Sequence, residues 1–150
     1  MIFKQVNPKP HIKSRIIATL IDYAIFSVFS VIYIIAFDDD PEPGRATVNG
    51  LPALVPVLLW FVYFPLLESI NSTTPGHDIC KLKVVGLKGQ KISFGQAFKR
   101  RICDFIDLGL YGLPALICVA KTEKHQRIGD LWAGTLVVKK EDVEETEVTF

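Results

Sequence analysis

Two long apolar runs dominate the pattern of hydrophobic and polar positions. Residues 16–37 contain Asp22 as their only charged side chain, and residues 51–70 contain only Glu68. At a helical rise of about 1.5 Å per residue, each run can cross a hydrocarbon core about 30 Å thick. The pattern therefore predicts an all-α membrane protein with two transmembrane helices.

A third apolar segment, residues 102–120, leaves two interpretations open. It is about as long as a single span, but it contains Asp104, Asp107 and a cluster of helix-breaking residues between Gly109 and Pro114. Glycine and proline at these positions favour a bend. We favour a segment that enters the membrane and returns, with a single crossing as the alternative.

A weak internal repeat favours re-entry. Residues 76–85 (GHDICKLKVV) align with residues 129–138 (GDLWAGTLVV), and each ends in a stretch rich in β-branched residues. We predict a small cytoplasmic pair of antiparallel strands at residues 83–87 and 135–139, because short lone strands expose unpaired backbone groups. Pairing requires both strands to lie on the same side of the membrane.

The charges predict an orientation. The loop after the first run is acidic, with Asp38, Asp39, Asp40 and Glu42. In residues 1–15, by contrast, the charged side chains are all basic. We expect a bacterial-type inner membrane. The positive-inside rule then places the amino terminus on its cytoplasmic side, and re-entry would place the carboxyl terminus on that side too. The cytoplasmic basic surface would consist of Lys81, Lys83, Lys88, Arg100 and Arg101.

The remaining segments complete the predicted organisation. Residues 93–101 have apolar side chains at helical spacing beside Lys99, which predicts an amphipathic interfacial helix with Ser93 as its N-cap. Residues 1–140 would form one membrane domain, and the acidic residues 141–150 a disordered tail. We expect no enzymatic activity, metal or cofactor, because no catalytic or metal-ligand motif is present, and no binding of nucleic acid.

Charged residues inside the apolar runs are the candidate functional residues. Asp22 lies two helical turns after Arg15, so both should face the same partner surface. A charge in the hydrocarbon core costs about 2.5–3.5 kcal/mol on insertion scales, so such a residue should face the protein interior. The pair could therefore serve transport or binding, or could simply lock the packing of the helices.

Asp104 and Asp107 are a second candidate site. They are three residues apart on one helix face, with Arg101 three residues before Asp104. Two neighbouring carboxylates repel each other unless a cation or proton intervenes, as in an ion relay. For Arg101 and Asp104 alone we prefer an interfacial ion pair. Glu68, at the end of the second run, is either a further member of this site or a solvated helix end.

Three blocks of sequence together resemble the RDD family of membrane proteins: RIIATLIDYAIF (15–26), TTPGHDICKLKVVGLKGQKISFGQAFKRRICDFID (73–107) and QRIGDLWAGTLVV (126–138). The resemblance implies that Arg15 and Asp22 are the family arginine and first aspartate, and that Asp107 or Asp130 is the second. It also implies a role in transport, with sodium–proton antiport in some members. The segment after the second block is shorter here than is usual in the family.

Two hypotheses of function follow. The first is transport of a cation, proton or small ligand by Arg15, Asp22 and Asp107, which would require an oligomer because two or three spans cannot enclose a pathway. The second is a non-catalytic membrane adaptor, or an accessory subunit of a larger membrane complex, that uses the basic cytoplasmic surface. In both, the lipid bilayer is a partner.

Overall fold

The computed structural model describes residues 2–39 and 42–147. These residues form a mostly helical structure with two small antiparallel sheets. In chain order the elements are β1 (Ile2–Val6), α1 (Ile12–Ala36), α2 (Leu51–Asn71), α3 (Pro75–Ile79), β2 (Leu82–Gly86), α4 (Phe94–Gly109), α5 (Leu113–Lys121), α6 (Ile128–Ala133), β3 (Thr135–Lys139) and β4 (Val143–Glu147).

Helices α1 and α2 confirm the two predicted apolar helices. Both are long and apolar enough to cross a membrane, and large apolar side chains such as Ile35 and Leu58 are exposed along them. Helix α2 widens into a π-helical turn at Val62–Leu66, around Pro65. Proline lacks the backbone N–H that a regular helix needs, and a local change of hydrogen-bond pattern accommodates it.

The third apolar segment is divided between two helices. Helix α4 begins after Ser93, whose Oγ accepts a hydrogen bond from the Gln96 backbone N–H at 3.3 Å, while the Gln96 side chain accepts one from the Ser93 N–H at 3.0 Å. This reciprocal capping confirms the predicted helix start. The chain bends where Tyr111 and Gly112 have positive φ angles, inside the predicted breaker cluster. Neither α4 nor α5 has the length of about 20 residues that a span needs.

Strands β2 and β3 confirm the predicted pair, with Leu82 opposite Lys139 and Gly86 opposite Thr135. Each is preceded by a short helix, α3 or α6, so the internal repeat is a repeated helix–strand unit. In the second unit, Gly129 permits close packing of α6 on α4, because a Cβ there would lie 2.8 Å from the Arg100 carbonyl oxygen. Buried side chains of the sheet, Leu82 and Val84, complete the core.

The second sheet was not predicted. Strand β4 pairs with β1, with Ile2 opposite Glu147 and Val6 opposite Val143. Asp142, buried just before β4, contacts His11 at 2.5 Å and Lys9 at 3.2 Å. The expected disorder of residues 141–150 therefore does not describe residues 141–147, which this pairing and these contacts hold in place. Residues 148–150 lie outside the described residues.

Candidate functional site

A cluster of eight charged residues lies where α1 begins and α2 ends; six of them are buried, and Arg15 and Arg127 are half-buried. Four are arginines and four are acids, so their formal charges balance. We call them the buried charge cluster: Arg15 in α1, Glu68 in α2, Arg100, Arg101, Asp104 and Asp107 in α4, and Arg127 and Asp130 at the start of α6.

Glu68 joins two arginines of α4. It is fully buried, and its two carboxylate oxygens accept hydrogen bonds from Arg100 Nη1 and Arg101 Nη2. Both guanidinium groups are also buried. A buried charge is tolerated only when partners compensate its lost hydration, so these three side chains depend on one another.

Asp130 is the acid with the most cationic neighbours. Arg100 Nε donates to it at 2.6 Å, and atoms of Arg15 and Arg127 lie 3.6 and 3.7 Å away. Burial opposes its ionisation, but the neighbouring arginines outweigh burial and lower the pKa of Asp130 to about 2. Asp130 is therefore ionised at neutral pH and holds the start of α6 against α1 and α4.

Asp104 is the third paired acid. Its oxygens lie 2.6 Å from Arg127 Nη1 and 3.1 Å from Arg101 Nη1, and the Tyr23 hydroxyl donates to it at 3.2 Å. The side chain is only 2% exposed. The predicted pair of Arg101 and Asp104 therefore forms, but in the protein interior.

Asp107 differs from the other three acids. It is only 3% exposed, yet neither carboxylate oxygen accepts a hydrogen bond from any described residue, and no ion pair to it occurs among them. The side chain lines a cavity of about 230 Å³ between α1, α4 and α5. Apolar side chains including Ile16, Leu20 and Leu116 form most of the wall, with Arg15 and Arg127 also present. An uncompensated carboxyl at such a place can hold a proton or a cationic group.

Asp22 forms a separate polar site about two helical turns beyond Arg15. Its oxygens accept hydrogen bonds from Thr74 Oγ1 at 2.5 Å and from the Gly76 N–H at 2.7 Å, and His77 Nδ1 lies 2.9 Å away. Burial lowers the pKa of His77, although the contact with Asp22 favours the protonated form. The carboxylate thus caps the first turn of α3, as anions do at helix starts.

Gly76 makes this contact possible. A Cβ atom at position 76 would lie 2.2 Å from the Ala18 carbonyl oxygen and 2.8 Å from the Asp22 side chain. No side chain fits at these distances, so α3 can approach α1 only with glycine there. Asp22 consequently contributes to helix packing, which was one of the two roles considered for it.

The predicted site residues separate into different groups. Arg15 contacts Asp130 and the Val137 carbonyl, whereas Asp22 contacts α3, so the two do not share one partner. Glu68, expected to be solvated, is buried. Arg100 and Arg101 are buried as well, which removes them from the basic surface. Of its remaining members, Lys81 and Lys88 are exposed and Lys83 is half-buried.

Several residues of these sites were missed from the sequence. Thr74, His77, Arg127 and Tyr23 were not among the predicted site residues. All four lie inside the blocks that resemble the RDD family, which was the available signal. Among the described residues, no group of three or more His, Cys, Asp or Glu side chains could hold a metal ion.

Comparison with known proteins gives one match. No curated protein and no solved structure matches the chain. The model of the RDD family matches residues 9–134, which include both apolar helices and the whole buried charge cluster. Because this match covers most of the chain, the protein belongs to the RDD family of membrane proteins.

Proposed function

We propose that this protein binds a small cationic ligand, a metal cation or a proton at Asp107 and carries it across a bacterial inner membrane as an oligomer. The observation that supports this role is the buried Asp107 carboxyl without a partner, which lines a cavity. The other three acids, Glu68, Asp104 and Asp130, each form ion pairs with arginines. Asp107 is the acid of the cluster that remains available for a ligand.

The paired residues would act as a rigid frame for this site. Ion pairs between α4, α6 and the ends of α1 and α2 fix the backbone on which Asp107 is mounted. A carboxylate held in a preorganised apolar cavity binds a cation without competition from water. Because the Arg15 contact is to Asp130, we also propose Asp130 as the second aspartate of the family pattern.

The strand pairings support a topology with both termini in the cytoplasm. Pairing of β2 with β3 requires residues 87–134 to begin and end on one side, and pairing of β1 with β4 requires the same of the two ends of the chain. In this topology α4 and α5 form a re-entrant hairpin. Its bend is apolar and exposed, with Leu110 58% and Tyr111 95% exposed, as suits contact with lipid.

Cysteine accessibility tests this topology. In a variant without the native cysteines, Lys124→Cys and Glu145→Cys should react with a membrane-impermeant maleimide only when the cytoplasmic face is exposed, whereas Tyr111→Cys should be protected from both sides. Labelling of Lys124→Cys from the periplasmic side would instead indicate a single crossing by residues 102–120.

A flux assay tests the proposed transport. The purified protein would be reconstituted into vesicles with a sodium or proton gradient, and gradient decay followed with an ion-sensitive dye. Wild-type vesicles should lose the gradient faster than empty vesicles, and Asp107→Asn should remove the difference. Asp78→Asn is the matched control, because Asp78 is exposed on α3, away from the cavity. Equal decay in Asp107→Asn and wild-type vesicles would refute the role of Asp107.

The exposed lysines favour a second candidate function, that of a membrane adaptor. Lys81 and Lys88 flank β2 and are solvent-accessible, so they are suited to bind an acidic partner or anionic headgroups. Crosslinking in membranes should then capture a reproducible partner that Lys81→Glu and Lys88→Glu release without loss of insertion. Recovery of homo-oligomers alone would count against this function.

A further inference from the structure

We infer that the ligand of the cavity is a zwitterionic amphiphile, with its ammonium group on Asp107, its anionic group on Arg15 and Arg127, and its apolar tail along α1 and α5. This inference uses the cavity of the proposed function but goes beyond that function, because it assigns the site a ligand that carries both charges. Three features of the cavity wall support it.

The first feature is that the wall has unused donors as well as an unused acceptor. Arg15 Nε and Arg127 Nη2 are buried and donate no hydrogen bond to the described residues. Arg15 Nη1 and Arg127 Nε lie 3.6 and 3.7 Å from Asp130, which exceeds hydrogen-bond distance. Each buried polar group without a partner costs about 1–3 kcal/mol. An anionic group of the ligand would supply the missing acceptors, and a phosphate or carboxylate suits guanidinium donors well.

The second feature is that the cavity wall carries both negative and positive charge. An inorganic cation on Asp107 would leave the arginine donors unsatisfied, and a simple anion on the arginines would leave the Asp107 carboxylate beside it without a counter-charge. A molecule with both charges satisfies both ends of the cavity and adds no net charge to the buried charge cluster.

The third feature is where the cavity opens. Leu20 and Tyr111 line the cavity and are also 65% and 95% exposed, on the apolar surfaces of α1 and of the bend after α4. The apolar wall therefore continues onto the face that the bilayer covers. A volume of about 230 Å³ suits a compact polar headgroup, and the attached chains would extend along α1 and α5 outside the cavity. The bilayer is thus a direct source of the ligand.

A binding measurement with three probes tests the inference. Protein purified in dodecyl maltoside would be titrated with dioctanoyl phosphatidylethanolamine, with dioctanoyl phosphatidylglycerol, and with free glycerophosphoethanolamine, the lipid headgroup without its acyl chains. Phosphatidylethanolamine should bind at least about tenfold more tightly than phosphatidylglycerol, which lacks the ammonium group, since one charge-assisted hydrogen bond is worth about that factor. Binding of free glycerophosphoethanolamine as tight as that of phosphatidylethanolamine would identify a soluble zwitterion as the source and overturn the assignment of an apolar tail. Weaker binding of glycerophosphoethanolamine would identify a lipid.

Two variants connect the binding to the cavity. Asp107→Asn should weaken the binding of phosphatidylethanolamine about tenfold or more and leave the binding of phosphatidylglycerol unchanged. The control Asp78→Asn should alter the binding of neither lipid. Ala115→Phe, which places a large side chain in the cavity wall, should weaken the binding of both lipids. Equal affinity of the wild type for the two lipids, or unchanged discrimination in Asp107→Asn, would overturn the inference.

The binding and flux assays can fail independently. Selective binding of phosphatidylethanolamine in a protein that dissipates no gradient would uphold the zwitterionic site and refute cation or proton transport. A gradient flux that depends on Asp107, without selective binding of any zwitterion, would uphold the proposed function and refute this inference.

Discussion

Replacement of Glu68 by glutamine tests whether the buried charge cluster holds the structure together. The change preserves the shape of the side chain but removes its negative charge. Glutamine offers one carbonyl oxygen where glutamate offers two carboxylate oxygens, and its amide nitrogen would face a guanidinium N–H, donor against donor. Arg100 and Arg101, which are 0% and 1% exposed, would lose a shared counter-charge.

The expected magnitude follows from the burial of all three groups. Breaking a buried ion pair by removal of one partner typically costs about 3–5 kcal/mol. Arg100 keeps its bond to Asp130, and Arg101 keeps its bond to Asp104, which moderates the loss. We therefore expect a loss near the lower end of this range, about 3 kcal/mol. For a chain of this length, each kcal/mol lowers Tm by about 2–4 °C, so Tm should fall by about 6–12 °C.

A thiol-reactive fluorophore can follow this unfolding in detergent when the half-buried Cys80 and Cys118 are replaced by serine in every variant. Cys103 is only 5% exposed and becomes reactive when the helices separate. Glu123→Gln is the matched control, since Glu123 is exposed beyond the end of α5. Its Tm should equal that of the wild type within about 2 °C. A Glu68→Gln protein with a wild-type Tm would refute the reasoning, because Glu68 would then contribute nothing to the stability of the cluster.

Two further predictions concern a close contact and a titration. Gly76→Ala should destabilise the protein by about 1–3 kcal/mol, because the added Cβ would clash with the Ala18 carbonyl oxygen. The control is Gly95→Ala, where the atom nearest to an added Cβ is 3.9 Å away, and its Tm should stay close to that of the wild type. Asp130 has a pKa lowered from 3.8 to about 2, so its ionisation contributes about 2 kcal/mol that is fully present above about pH 5 and is lost as pH falls toward 2. The Tm difference between wild type and Asp130→Asn should therefore narrow between pH 7 and pH 3, and a constant difference would contradict the lowered pKa.

The pattern of apolar residues was enough to predict α1, α2 and the pairing of β2 with β3. Hydrophobic runs and alternation are local signals, and the repeated helix–strand unit linked two segments 53 positions apart. The second sheet could not be predicted in this way. Residues 144–147 (EETE) are acidic or polar and carry no apolar alternation, and their strand is visible only through its pairing with β1.

The partners within the buried charge cluster could not be predicted from the sequence either, for a different reason. Arg15 and Asp22 share a helix face by periodicity, yet Arg15 contacts Asp130 and Asp22 contacts α3. Likewise, consecutive basic residues such as Arg100 and Arg101 normally indicate a solvated surface. Which partner a charge finds depends on contacts between distant segments, and no local period encodes these. Asp107 was identified from its position in an apolar run, but its lack of a partner is visible only in three dimensions.

Among the acids of the buried charge cluster, Asp107 alone is free to react with a ligand. Labelling with a hydrophobic carbodiimide, which modifies protonated carboxyls in apolar surroundings, tests this when the labelled residues of the purified protein are mapped by mass spectrometry. Within the cluster we expect one adduct, on Asp107, that is absent in Asp107→Asn and present in Asp78→Asn. Labelling of Glu68, Asp104 or Asp130 to the same extent, or no labelling of Asp107, would contradict it.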